Sequence, residues 1–282
     1  MAGQGAILLA AVLMSTTGLS IKLLDWHPLV ITCARSFFAA LSLVVIRLIF
    51  PPPKEAKNEP FPLWTAAILF SLTMITFIIA NKLTTSANAI LLQYGAPVWA
   101  ALLGWRLVRE KPYWEHWGAL VLVIVGLVLF FRDSLGSGAF AGNILAIISG
   151  VLFGANSVFL RMMKKGNPSD SFLLGHAITA VVAMPFFFLY PPTLSFFSSA
   201  NIFYMGAIQM GLVSLLFSYG IKRVRAIQTM LIASAEPILN PVWVFLVTGE
   251  KPSPGALAGG IIIIFAVVSS SLIGSRRVEA IQ

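Results

Sequence analysis

Charge is scarce in this chain: 10% of its 282 residues are Asp, Glu, Lys or Arg, where an ordinary soluble domain carries roughly 25%. A surface so poor in charge cannot face water throughout, so most of it must face lipid. Cysteine occurs once, as Cys33, which excludes an intramolecular disulfide and a cysteine metal site. His27, His116 and His176 are too scattered for zinc spacing, so neither a metal nor another cofactor is expected. No Gly-x-x-x-x-Gly-Lys-Ser/Thr phosphate loop occurs, so ATP is not used by that route and a gradient must drive any uphill flux. The longest connection, from Pro51 to Phe61, has no room for a separate catalytic or sensory domain. The first hydrophobic run lacks a charged leader and a small-residue cleavage site, and it reads as a retained helix rather than a signal peptide.

What is present is apolar: 58% of residues are hydrophobic and the mean hydropathy is +0.91. Spans of about 20 apolar residues cross a hydrocarbon core of about 30 Å as helices. Ten such spans fit, at 4–24, 28–50, 62–80, 85–107, 112–131, 141–163, 169–189, 200–221, 226–248 and 252–273. The expected fold class is therefore all-α integral membrane, with the lipid bilayer as a partner.

A net charge of +9 would point to nucleic acid in a soluble protein. Here its distribution decides. One alternate set of loops holds fourteen Lys and Arg, from Arg47 to Arg277, and the other holds four, Lys22, Lys82, Arg132 and Lys251. That asymmetry predicts both termini in the cytoplasm and a multi-pass protein of the plasma (inner) membrane, with no nucleic-acid partner.

Glu110-Lys111-Pro112 returns 140 residues later as Glu250-Lys251-Pro252, and at the same offset Pro97 returns as Pro237. The chain therefore divides into two repeats, 1–137 and 138–282. Each holds five spans, and an odd number reverses direction on repetition, so the repeat is inverted about an axis in the membrane plane. Inverted repeats are a device of alternating-access carriers. A channel would need a pore-lining ring of charges or carbonyls. An enzyme would need clustered catalytic groups at the interface; the sequence offers none, and no enzyme is expected.

The stretch PLVITCARSFFAA from Pro28, Pro97 followed by Glu110, and Ala235-Glu236-Pro237 followed by Gly249-Glu250 resemble the drug/metabolite transporter superfamily in its ten-helix EamA-type branch. The resemblance covers the whole chain. It implies that helices one to four and six to nine surround a central cavity, with five and ten peripheral, and that the cargo is a small organic metabolite or drug, exported. The residues themselves support the division: Trp117 to Phe131 and Pro254 to Val268 contain no Ser, Thr, Asn, Gln or charged residue, as suits helices away from a hydrated pathway. Gly255 and Gly259 give span ten a pair of small residues that serves either a homodimer contact or close packing within one chain.

At 1.5 Å per residue, Ser15, Thr16, Thr17, Thr73, Thr76, Gln93, Tyr94, Gln209, Glu236 and, within about a turn, Asn240 fall near the midplane. A polar belt at one depth is where carrier sites sit. Thr73, Gln93, Tyr94, Gln209 and Asn240 are the candidate substrate ligands, although a Ser or Thr can equally be bonded to its own helix. Glu236 is the one carboxylate in mid-span. It can couple transport to protons, hold a structural or gating hydrogen bond, or touch the substrate. Arg35 lies at nearly the same depth and is either paired with Glu236 or helix carbonyls, or clamps a substrate carboxylate. Should both charges reach the cavity, they suit a zwitterion such as an amino acid. His176 either relays protons with Glu236 or bonds across helices. Pro97 and Pro237 mark hinges, or improve packing. Lys22 is expected to extend to the interface. The leading reading is an exporter of amino acids or related compounds, proton-coupled through Glu236. The alternative is a proton-coupled importer of a cationic or nucleoside-like solute.

Overall fold

The computed structural model describes residues 2–51, 58–108, 114–134, 139–163, 167, 169–213, 215–216 and 235–281. The first tripeptide copy, Glu110-Lys111-Pro112, and the opening residues 226–234 of the ninth expected span lie outside them. All regular structure among the described residues is helical.

The first expected span is two helices, α1 (Ala2–Ser15) and α2 (Thr17–Lys22). Ser15 and Thr16 cause the break: their hydroxyls donate to the carbonyls of Val12 and Leu13, both at 2.7 Å, competing with the helix's own amides. Helix α3 (Pro28–Ile49) starts on a proline, whose missing N–H is unneeded in the first turn, and His27 caps it by accepting from Leu29 N–H. Helix α4 (Pro60–Leu83) also starts on a proline, without a side-chain cap from Glu59.

The fourth expected span is also broken, into α5 (Ser86–Gln93) and α6 (Ala96–Val108). Pro97 has no N–H for the Gln93 carbonyl four residues back, so the α-helical ladder stops there. Gly95 N–H turns instead to the Leu92 carbonyl at 3.3 Å. The sequence leads one to expect a kink at Pro97 within a single span; the structure places the break just before it, at Tyr94 and Gly95.

Helices α7 (Trp114–Ser134), α8 (Phe140–Met162) and α9 (Ser169–Leu189) follow. Next come α10 (Phe196–Phe203), capped reciprocally by Ser195 and Ser198, and a π-helical segment, Tyr204–Leu212, that continues it. Helix α11 (Ala235–Thr248) carries Pro237 in its first turn and Pro241 further in; α12 (Pro254–Ile281) closes the chain. Among the described residues, five helical stretches are long and apolar enough to cross a bilayer: Ala2–Lys22, Pro28–Ile49, Pro60–Leu83, Phe140–Leu160 and Ser169–Leu189. Trp117–Gly126, Ala235–Thr248 and Leu257–Ala266 are shorter apolar helices. The count falls below the ten expected spans partly because prolines and a π register interrupt runs that hydropathy alone joins.

Packing is mostly between sequence-distant helices. Helix α4 lies along α8, α3 along α9 and the π-helical segment, α5 and α6 along α8, α1 and α2 against α11, and α7 along α12. Glycines set the close approaches. A Cβ at Gly154 of α8 would lie 2.6 Å from the Ala96 carbonyl of α6, and one at Gly126 of α7 would lie 2.8 Å from the Gly259 carbonyl of α12. Gly259 therefore faces α7 of the same chain, the close-packing role foreseen for it. Large apolar side chains such as Leu48, Val181, Phe188 and Ile261 remain exposed on the outside of the helical body, as lipid-facing surface requires.

Candidate functional site

The helix break at Tyr94 brings its phenol to the first turn of α11, where Tyr94 Oη donates to Glu236 Oε2 at 3.2 Å. Arg35, on α3, is 2% exposed, and Glu236 is the carboxylate expected at its depth. The two are not joined: the ion pairs among the described residues are Lys22–Glu250 and Arg47–Asp170. Arg35 Nε and Nη1 are buried and make no hydrogen bond. A guanidinium held among helices with two donors unspent costs stability, and it is chemically ready for an oxyanion.

His176 joins this cluster from α9. It is buried, edge-on to Phe70 with ring centroids 4.9 Å apart, and its Nδ1 makes no hydrogen bond. No hydrogen bond links it to Glu236 among the described residues.

Other candidates lie in two polar knots beside the cluster. In the first, Gln93 Nε2 donates to Ser149 Oγ at 2.8 Å, and Ser149 Oγ donates to the Thr73 carbonyl at 3.2 Å, tying α5 to α8 to α4. The Thr73 hydroxyl is committed to the Leu69 carbonyl of its own helix at 2.7 Å. In the second, Gln209 Nε2 donates to Thr16 Oγ1 at 2.6 Å and to the Leu13 carbonyl at 3.2 Å, while Thr17 Oγ1 donates to Gln209 Oε1 at 3.3 Å. The break between α1 and α2 is thus fastened to the π-helical segment, with Tyr204 Oη 2.8 Å from Thr16 Oγ1. Trp243 Nε1 adds α11 by donating to Ser15 Oγ at 2.9 Å. Asn240 is fully buried against Gly18. Pro237 is buried in the first turn of α11, and Pro97 opens α6.

A further network closes one end of the molecule. Glu250, from the second tripeptide copy, accepts from the Ser86 N–H at the start of α5 at 2.8 Å and pairs with Lys22 Nζ at 3.1 Å. Lys22 Nζ also donates to the Thr84 carbonyl at 2.8 Å. Thr84 Oγ1 donates to Asn143 Oδ1 at 2.7 Å, and Asn88 Nδ2 donates to both. Lys82 Nζ donates to the Leu24 carbonyl. Beneath these groups is a cavity of about 390 Å³ lined by Lys22, Lys82, Thr84, Asn88, Glu250 and Lys251.

The sequence pointed to Arg35, Tyr94 and Glu236; the structure bonds Tyr94 to Glu236 and leaves Arg35 buried without an ion pair. It disperses Thr73, Gln93 and Gln209 into the knots. Lys22, expected to extend to the interface, is instead bonded to Glu250 and Thr84. Sequence reasoning missed Ser149, Tyr204, Trp243, Asn143 and the bridging role of Glu250; the signal available for Glu250 was the repeat itself.

The chain matches the EamA-like transporter family twice, over residues 1–132 and 140–272. A protein of Archaeoglobus fulgidus named as an uncharacterized transporter is 26% identical over 94% of this chain and 95% of its own length. A Rickettsia prowazekii protein named as an S-adenosylmethionine uptake transporter is 23% identical over 86% of this chain and 82% of its own. A solved crystal structure superposes with a TM-score of 0.68 over 98% of each chain at 19% identity, a likeness of fold alone.

Proposed function

The chain belongs to the EamA-like transporter family, and on that footing we propose that it carries small organic zwitterions, amino acids or their relatives, through a bilayer by alternating access. It is a multi-pass membrane transporter and not an enzyme. The observation that carries the substrate reading is that Arg35 is buried, makes no ion pair with Glu236 and has two guanidinium nitrogens unbonded. A solute carboxylate fits the Arg35 side, and an ammonium fits Glu236 beside Tyr94.

The two halves, 1–137 and 138–282, act as inverted five-span repeats in this reading. The pairings of α3 with α9 and α7 with α12, and of α5 and α6 with α8 against α1 and α2 with α11, are those that an in-plane two-fold axis would generate. Loop charge favours a cytoplasmic Arg47 end, cytoplasmic termini and the plasma (inner) membrane. Outward transport is the working direction, with Glu236 as the proton carrier and Pro97 and Pro237 at the hinges.

A second reading is import of a cationic, nucleoside-like solute. It draws on the Rickettsia prowazekii relative's name, and S-adenosylmethionine itself ends in an amino-acid group. The test is counterflow into proteoliposomes across amino acids, amines, nucleosides and organic acids, with and without a pH gradient. Exchange of zwitterions supports the leading reading. Exchange restricted to organic acids or amines would overturn it. Gradient-driven accumulation that survives Glu236→Gln would remove the coupling role.

A further inference from the structure

Asn240 lies one helical turn beyond Glu236 on α11, fully buried, and neither its Oδ1 nor its Nδ2 has a hydrogen-bond partner. Buried side-chain amides are nearly always bonded, so one unbonded at both ends needs a reason. Its surroundings share the condition. A Cβ at Gly18 would lie 2.5 Å from Asn240 Oδ1 and 3.0 Å from the Cβ of Ser86, so α2, α5 and α11 converge here. Ser86 Oγ donates to Asn81 Oδ1 at 3.0 Å, leaving Asn81 Nδ2 also buried and unbonded.

The unspent atoms are two donors, Asn240 Nδ2 and Asn81 Nδ2, and one acceptor, Asn240 Oδ1. A metal or ammonium cation would satisfy the oxygen and be repelled by the amide groups; a carboxylate would do the reverse. Only a group that both donates and accepts answers the whole set, which on a solute means a hydroxyl or a carboxamide. The four residues from Glu236 to Asn240 rise about 6 Å along the helix, a reach that a short side chain spans.

We propose that Asn240, backed by Asn81, is the subsite for an uncharged hydrogen-bonding group on the solute, and so sets a preference for hydroxyl- or amide-bearing zwitterions over apolar ones of equal size. This rests on the zwitterion reading of Arg35 and Glu236. With the Glu250 end closed, the Asn240 amide is packed on Gly18; parting α2 from α11 frees it to take its ligand. The absence of a Cβ at position 18 lets the amide fold away against the backbone.

The experiment is counterflow in proteoliposomes with size-matched pairs, threonine against valine and asparagine against leucine, in the full chain and in Asn240→Leu. The ratio of half-saturation concentrations, polar over apolar, is expected to rise about tenfold in the variant, the size of effect typical of a lost buried hydrogen bond. Should Asn240→Leu fail to fold, Asn240→Thr, which keeps one hydroxyl, is expected to give a smaller rise of the same sign. Ratios that stay fixed in an active variant would overturn the subsite alone and assign the amide to packing or a bound water. A wild-type protein that exchanges none of the four compounds would overturn the zwitterion reading, and the subsite with it.

Discussion

The Glu250 end and the Arg47 end of the molecule are held in different ways. At the Glu250 end, one carboxylate bridges the α11–α12 connection to the last residue of α2 and the first of α5, and Thr84, Asn88 and Asn143 extend the network to α8. Its ion pair is substantially sheltered, with side-chain exposures of 19% for Lys22 and 24% for Glu250. At the Arg47 end, the described polar contacts join α3 and the lead-in to α4 with the start of α9, through Arg47–Asp170 at 2.7 Å and Asn58–Asp170 at 2.8 Å. Arg47 there is 46% exposed, while Asp170 is 18%. A solvated pair of that kind contributes about 0–1 kcal/mol. Spans one, four, six and nine, which the family resemblance puts around the cavity, are thus stitched together at the Glu250 end by groups partly removed from water. The described contacts at the other end tie spans two, three and seven, and Phe61 against Phe159 and Asn156 Nδ2 on the Ala66 carbonyl add span six. In the alternating-access reading proposed above, the Glu250 network is the gate that is closed in this conformation.

The comparison can be broken first at the centre that both ends serve. Arg35→Ala is expected to reduce zwitterion counterflow at least 100-fold while the thermal midpoint in detergent moves little, because the side chain removed had two unsatisfied donors. Normal transport with a lowered midpoint would make Arg35 a structural residue. Next in size is Glu250→Ala, which removes the Lys22 pair and the Ser86 N–H acceptor together. A loss of about 1–3 kcal/mol is expected, read as a fall of several degrees in the midpoint. Gly259→Leu should follow, at about 1–3 kcal/mol from the forced separation of α12 from α7, with oligomeric state by light scattering unaltered. A change in subunit number would return Gly259 to the dimer role. The smallest effect belongs to Asp170→Asn: a change within about 0.5 kcal/mol and less than twofold in flux. An effect of Asp170→Asn as large as that of Glu250→Ala would erase the distinction between the ends.

Much of the fold was legible because hydropathy and charge are properties of long stretches. The runs at Pro28, Pro60, Phe140 and Ser169 became helices near the expected bounds. What hydropathy did not show was continuity: Ser15 and Thr16, Gly95 with Pro97, and the π register from Tyr204 interrupt runs whose mean apolarity is unchanged. In the site, depth alone brought Arg35, Tyr94 and Glu236 to one level, and the structure joined Tyr94 to Glu236. Depth does not say which way a side chain turns, so Gln93 and Gln209 read as ligands although their amides are spent on Ser149 and Thr16. Ser149 and Trp243 were invisible because each matters only through partners more than 50 residues away. The tripeptide was seen at once as a sign of duplication. Its Glu250 proved to be a physical bridge as well, a role that needs the third dimension.

The gate is tested most directly by the separation of spin labels at Leu83 and Lys251, on a Cys33→Ser background, in the parent protein and in Glu250→Ala reconstituted in bilayers. Two interconverting populations are expected, the shorter dominant in the parent and the longer enriched in Glu250→Ala. One unchanged population in both proteins would contradict a gate closed through Glu250.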